Sequence, residues 1–313
     1  MSDTRGARDL ADLWRALPAA ALVYPAAAWR LERGLNVLSD TLRAHAWRDH
    51  CAAFELDSCA DRGCGCVHPG RCVADGLFPM KIGGGTPSWR MATLFVHWLP
   101  TQSQLRLLAL GEVGCQALGW AARCLQREQG LTNATPLAAA TLADFALPVA
   151  ERWQLTFVTP WLVSKGTAAT NTPPDAAAIA YELNKALRLR AYKLTALCLM
   201  AQPTQRLVAH LTHYVADALL PTGLGVEEAD VVATPLALAS QGNRARFVAM
   251  TWSGQVILQV SPMVLPWLNI LALCGGGENA DKGFGGIELT PLASGNSGTM
   301  PRHDHPPSSV TSQ

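Results

Sequence analysis

Read for its periodicities, the first half of this chain runs strand, helix, two strands, helix, strand, and few folds accommodate that order. Residues 8–17, RDLADLWRAL, fit a short strand or a helical turn. AAALVYPAAAW then leads into a basic helix over residues 28–50, in which Leu31, Leu35, Leu38, Leu42 and Ala46 recur at helical spacing and face a core. Arg30, Arg33, Arg43, His45, Arg48 and His50 occupy its remaining surface. RMATLFVHWL and QLRLLAL read as extended, and the second runs into a helix, GEVGCQALGWAARCLQREQG, whose final glycine suits a C-cap. After an Ala/Thr/Pro connector over residues 129–150 comes the alternating strand WQLTFVTPWLV. This is the order of a ferredoxin-like unit.

The breaker GTAATNTPPD at 166–175 sets the expected boundary between an N-terminal half, residues 1–165, and a C-terminal half, residues 166–292. The second half opens with a long helix, AAAIAYELNKALRLRAYKLTALCLM, with Asp175 placed at its positive end, followed by the helix TQRLVAHLTHYVADAL. It then turns β-like through RARFVAMTW, QVILQVS, LPWLNILAL and GIELTPLA. Residues 293–313 hold no core-forming side chains and are expected to be disordered.

Composition narrows the class. Hydrophobic residues make up 49% and charged residues 16%, enough apolar surface for a substantial core. A net charge of +1 argues against strong electrostatic capture of nucleic acid. Yet the basic residues are twenty arginines to five lysines. Arginine binds phosphate in a bidentate fork and stacks on bases, although a GC-rich genome produces the same excess. The N-terminus carries no basic segment leading into an apolar one, and no apolar run reaches about 20 residues, so a cytoplasmic protein without a membrane partner is expected. Nine cysteines in such a chain read as reduced thiols or metal ligands. Cys59, Cys64, Cys66 and Cys72, inside a cysteine-rich segment at 51–72, form C-x4-C-x-C-x5-C. That is not a standard zinc-finger spacing, and it reads as a structural zinc clip or as plain thiols. Cys115, Cys124, Cys198 and Cys274 lie on apolar faces as core residues.

Residues 274–289 read CGGGENADKGFGGIEL, with six glycines that core packing alone does not demand. The order is neither a Walker loop nor a dinucleotide fingerprint, since no GK[ST] and no strand–G-x-G-x-x-G–helix unit is present. Gly275, Gly276, Gly277, Gly283 and Gly285 would let backbone amides approach phosphates, with Lys282 as the single charge. A flexible hairpin turn is the alternative. Lys185, Arg188, Arg190 and Lys193 form a basic run on the long helix, suited to an RNA backbone or simply solvated. Arg244 and Arg246 alternate on a strand just before the glycine segment, as RNA contacts or as edge-strand charges.

Taken in order, four stretches resemble the RAMP superfamily and, within it, the CRISPR repeat-processing endoribonucleases. They are Arg33-Gly34 with the cysteine cluster closing at Cys66-x5-Cys72 and Leu77-Phe78; LGEVGCQALGWAAR with WQLTFVTPWLVSKG; RARFVAMTWSGQVIL; and the glycine segment ending GFGGIEL. VADGLF lacks the usual proline–tyrosine pair, and the segment opens on three glycines rather than Gly-x-Gly. The resemblance implies an α+β chain of two tandem ferredoxin-like halves. It also implies metal-independent cleavage of precursor CRISPR RNA at a repeat stem-loop, with no cofactor. In that chemistry the 2′-hydroxyl attacks the adjacent phosphorus and leaves a 2′,3′-cyclic phosphate. The reaction needs a base, an acid and positive charge at the phosphorus. His45 would serve as acid or base and Arg30 and Arg33 as phosphate clamps, with His50 and Tyr24 as further candidates and Arg43 and Arg48 contacting RNA. The enzyme would stay with other subunits of an effector complex. A RAMP-type subunit that holds RNA without cutting it, and a zinc-clipped metabolic enzyme, are the other readings.

Overall fold

The computed structural model describes residues 3–25, 35–50, 73–79, 91–163, 173–199, 205–239, 246–277 and 284–293. The cysteine-rich segment and the tail lie outside these residues.

Two four-stranded antiparallel sheets share one topology. The first comprises β1 (Ala19–Pro25), β2 (Leu94–Leu99), β3 (Gln104–Leu110) and β4 (Thr135–Leu137), in spatial order β2-β3-β1-β4. The second comprises β5 (Arg152–Leu162), β6 (Leu224–Ala239), β7 (Arg246–Val260) and β8 (Ile287–Pro291), in order β6-β7-β5-β8. In each, the first strand lies between the third and the fourth, the split βαβ arrangement of the ferredoxin-like fold. The chain is therefore α+β with two such units.

In the first unit α2 (Leu35–His50) follows β1, the short α3 (Val73–Leu77) precedes β2, and α4 (Gly111–Gln129) joins β3 to β4. In the second, α5 (Ala176–Cys198) and α6 (Gln205–Gly223) both lie between β5 and β6, and α7 (Leu265–Cys274) precedes β8. The Asp175 carboxylate accepts the Ala178 amide at 2.7 Å, capping α5. Helix α1 (Asp3–Arg15) reaches across to the second unit: its Trp14 indole donates to Thr195 Oγ1 at 3.0 Å and stands edge-on to Trp267 at 5.1 Å. One continuous core runs through both units, with Trp14, Trp153, Trp161 and Trp267 among its fully buried side chains.

Three segments differ from the sequence reading, and a fourth settles an open one. Strand β5, expected to close the first half, pairs with β7 and β8 and opens the second sheet, while the three-residue β4 closes the first. The change of sheet thus comes before Arg152 rather than at 166–175. Alternation marked 152–162 as a strand but says nothing of its partner. Of residues 8–17, which fit a strand or a helical turn, 8–15 belong to helix α1, the second of those readings. LPWLNILAL, read as β-like, is α7, which is buried on nearly all sides and so loses its amphipathic signature. The sixteen-residue β6 was hidden by Glu227, Glu228, Asp230 and Pro235, residues compatible with its place at a sheet edge.

Candidate nucleic-acid interface

The glycine segment is folded back onto β5. Between Phe157 and Trp161 the pairing of β5 with β7 shifts register, freeing the backbone at Val158–Pro160. The glycines fill that gap. Gly286 donates its amide to Thr159 Oγ1 at 2.7 Å and its carbonyl accepts from Val158 at 2.9 Å. Gly285 N–H donates to the Pro160 carbonyl at 2.9 Å, and Gly276 N–H to the Gly285 carbonyl at 2.8 Å. Gly285 has φ +62°, and a Cβ there would lie 1.7 Å from the Gly276 oxygen. A Cβ on Gly276 would lie 2.2 Å from the ring of the buried Trp161. This corrects the expectation that packing does not call for these glycines, since at least two are required by close approach to β5 and to each other.

Three basic side chains converge where the segment leaves α7. Arg190, on α5, donates from Nε to the Gly275 carbonyl at 2.8 Å within the core. His97 lies on β2, which packs against α7, and Arg106 is its cross-strand neighbour on β3. His97 is pushed down to about 3, by burial first and then by the charges of Arg106 and Arg190. Burial lowers Arg106 to about 10 and raises the Cys274 thiol to about 12. At neutral pH the group therefore holds a neutral imidazole, an intact thiol and two guanidiniums. His97 Nε2 and Arg106 Nε find no hydrogen-bond partner among the described residues. The sequence reading did not single out His97 or Arg106. Their signal was a histidine inside LFVHWL and an arginine inside QLRLLAL, each alone in an otherwise apolar strand.

The candidate catalytic residues lie elsewhere. Val23, Arg106 and His97 form one cross-strand row, and Tyr24, Leu105 and Trp98 the next, so Tyr24 faces the opposite side of the sheet. That is the side covered by α2 and α4, where Tyr24 is 1% exposed and burial raises its phenol to about 12. His45 is buried in the seam between those helices. Its Nδ1 accepts from Arg127 at 3.2 Å and from Arg48, while Nε2 lies 3.3 Å from Glu128. His50 stands edge-on to Trp120, and Arg43 lies over Phe78. The first sheet separates this helical layer from the glycine segment. His45, Asp49 and Cys124 bring an imidazole, a carboxylate and a thiol within 4.8 Å, a donor set suited to zinc. The Arg48 and Arg127 guanidiniums already occupy His45 Nδ1 and oppose a cation there.

On α5, Lys185 is exposed, Arg188 pairs with Asp217 and Lys193 is half-buried. Arg190 does not share that surface, because two residues along a helix turn a side chain through about 200°. Tyr181, one turn before Lys185 on α5, and Tyr214 on α6 are both more than half exposed. Arg246 opens β7 opposite Ala239. Cys124 and Cys274 are buried and Cys115 and Cys198 half-buried, all as free thiols. Arg30, Arg33, Arg244, Lys282, Gly283 and the cysteines Cys59, Cys64, Cys66 and Cys72 lie outside the described residues. Among the described residues no helix is long and apolar enough to cross a membrane.

No family model and no curated protein matches the chain. Among solved structures it is similar to a Cas6 of Thermus thermophilus, at 16% identity and TM-score 0.42, over 88% of this chain and 99% of that one. It is also similar to a Cas6-related protein from Pyrococcus furiosus, at 10% identity and TM-score 0.39, with 88% and 99% covered. A third similar structure is a RAMP protein described as binding different RNA substrates, at 10% identity and TM-score 0.43, again with 88% and 99% covered.

Proposed function

We propose that this chain binds the stem-loop of a CRISPR repeat RNA and cleaves the precursor transcript there without a metal ion, remaining with its product in an effector complex. The observation that carries this reading is the closure of GFGGIEL onto FVTPW. Both stretches carry the family resemblance, they meet at Gly286 and Thr159, 127 residues apart in sequence, and they do so in the same β5 gap. The segment between Gly277 and Phe284 is thereby held at both stems beside the buried Arg190. Backbone amides and Lys282 supply the phosphate contacts. Lys185, with Tyr181 and Tyr214, extends the contact along α5 and α6 through charge and stacking. Arg30 and Arg33 follow β1 directly in sequence, and the reading gives them the charge at the phosphorus.

A specific observation favours a second reading. His45 and Tyr24 are buried on the far side of the first sheet, which suits an RNA-binding subunit that does not cut. One experiment separates the two. End-labelled repeat RNA is incubated with the protein in EDTA, with and without a 2′-deoxy sugar at the scissile position. Cleavage that survives chelation and stops with the deoxy sugar is the expected outcome. Binding without cleavage selects the second reading, and neither binding nor cleavage contradicts both.

A further inference from the structure

We infer that a cavity where the two units meet, walled by α1, α7 and the connector at 138–151, binds a free pyrimidine nucleotide, Asn269 meeting the edge of the base and Arg15 its phosphate. The site is separate from the glycine segment, and the inference stands apart from the RNA reading.

The cavity has a volume of about 120 Å³. Its walls are apolar, with Ala11 and Trp14 from α1, Leu142 and Leu147 from the connector, and Leu265 and Ile270 from α7. Bonds elsewhere in the fold pin these walls. Leu142 N–H donates to the Leu17 carbonyl at 2.9 Å, and the Asp144 carboxylate accepts the Ala140 and Thr141 amides. The Trp153 indole holds the Ala150 carbonyl at 2.9 Å, and the Trp14 indole is fixed on Thr195. Walls so fixed are preorganised for a ligand, and junctions between units are where ligand pockets concentrate.

One buried polar group interrupts the apolar lining. Asn269 is 8% exposed, lines the cavity and makes no side-chain hydrogen bond among the described residues. An amide so buried costs free energy unless a partner meets it. It presents an acceptor beside a pair of donors. The complement is a planar edge with one donor next to one acceptor, which both pyrimidines have. Uracil donates its ring N–H to Oδ1 and accepts from Nδ2 at a carbonyl oxygen. Cytosine donates from its amino group and accepts at its ring nitrogen. Size agrees, because a cavity of this order holds one six-membered ring.

Arg15 lines the cavity too, and its only charged partner among the described residues is the exposed Asp12, at 2.9 Å. An exposed pair of this kind is readily exchanged for a phosphate. Charge also selects the source of the nucleotide. Helix α1 balances Arg5, Arg8 and Arg15 against Asp3, Asp9 and Asp12, α7 carries no charge, and the connector adds Asp144 and Glu151. Walls without a basic excess suit one phosphate on Arg15 and do not hold a polyanionic strand.

Calorimetry and ligand-observed NMR on the full chain test the site, with UMP, CMP, uridine, AMP and single-stranded oligouridine as probes. UMP and CMP should bind, uridine several-fold more weakly, and AMP should not displace UMP at equal concentration. N269L keeps the volume and removes the amide, while A146F fills the cavity from an exposed lining position and leaves the amide in place. Each should weaken UMP binding by roughly ten- to a hundredfold. R15M should weaken UMP several-fold and leave uridine unchanged. Melting temperature separates binding from a structural role: N269L should melt no lower than wild type, since an apolar side chain replaces an amide without a partner. Oligouridine that binds more tightly than UMP overturns the assignment to free nucleotide and gives the site to a strand. Wild type that binds neither UMP nor CMP, AMP that competes equally, or N269L that binds like wild type or melts well below it overturns the site itself. None of these outcomes depends on repeat RNA.

Discussion

An added Cβ at Gly285 would lie 1.7 Å from a carbonyl oxygen, at a residue whose φ of +62° other residues adopt with strain. Gly285→Ala is therefore expected to destabilise the protein by at least about 2 kcal/mol, measured by urea denaturation, and to abolish repeat-RNA binding. His97 gives a pH signature. Its folded pKa of about 3 lies below the ordinary value of 6.5, so folding requires the neutral ring. The associated stability is complete above pH 6.5 and is lost progressively as pH falls from 6.5 towards 3, at about 1.4 kcal/mol per unit. Between pH 7 and 5, wild type should lose more stability than H97N by roughly this slope. Equal losses would show that the ring titrates normally.

At the scale of elements, α1 and the β5 gap hold the second unit together. Trp14→Phe removes the indole donor to Thr195 and should lower stability by about 1 kcal/mol, seen in chemical denaturation. The secondary structure was legible where local chemistry alone decides it. Asp175 announced α5, Gly130 closed α4, and alternation marked β5. It was not legible where tertiary surroundings decide. Burial on nearly all sides hid the helical character of α7, β4 is too short to show a period, and β6 carries the charges and proline of a sheet edge. The glycine segment stood out in the sequence as a candidate site, but the bond from Arg190 to its Gly275 carbonyl did not. A hydrogen bond between residues 85 apart leaves no local pattern. Arg190 was read as surface because its neighbours Arg188 and Lys185 are basic too.

For the whole molecule, the two units share one core, with Trp14 of α1 packed against Trp267 of α7. Scanning calorimetry should therefore show a single unfolding transition, and two well-separated peaks would contradict the shared core. The stems of the glycine segment follow α7, which packs against β2 of the first unit, and the helical layer carrying His45 lies on the far side of that first sheet. On the proposed function, RNA lies at this seam of the units. Ultraviolet cross-linking of repeat RNA to the full-length protein, followed by peptide mapping, tests it most directly. Cross-links should fall within residues 275–293 and 176–193. Cross-links confined to α2 and α4, or absent despite binding, would contradict it.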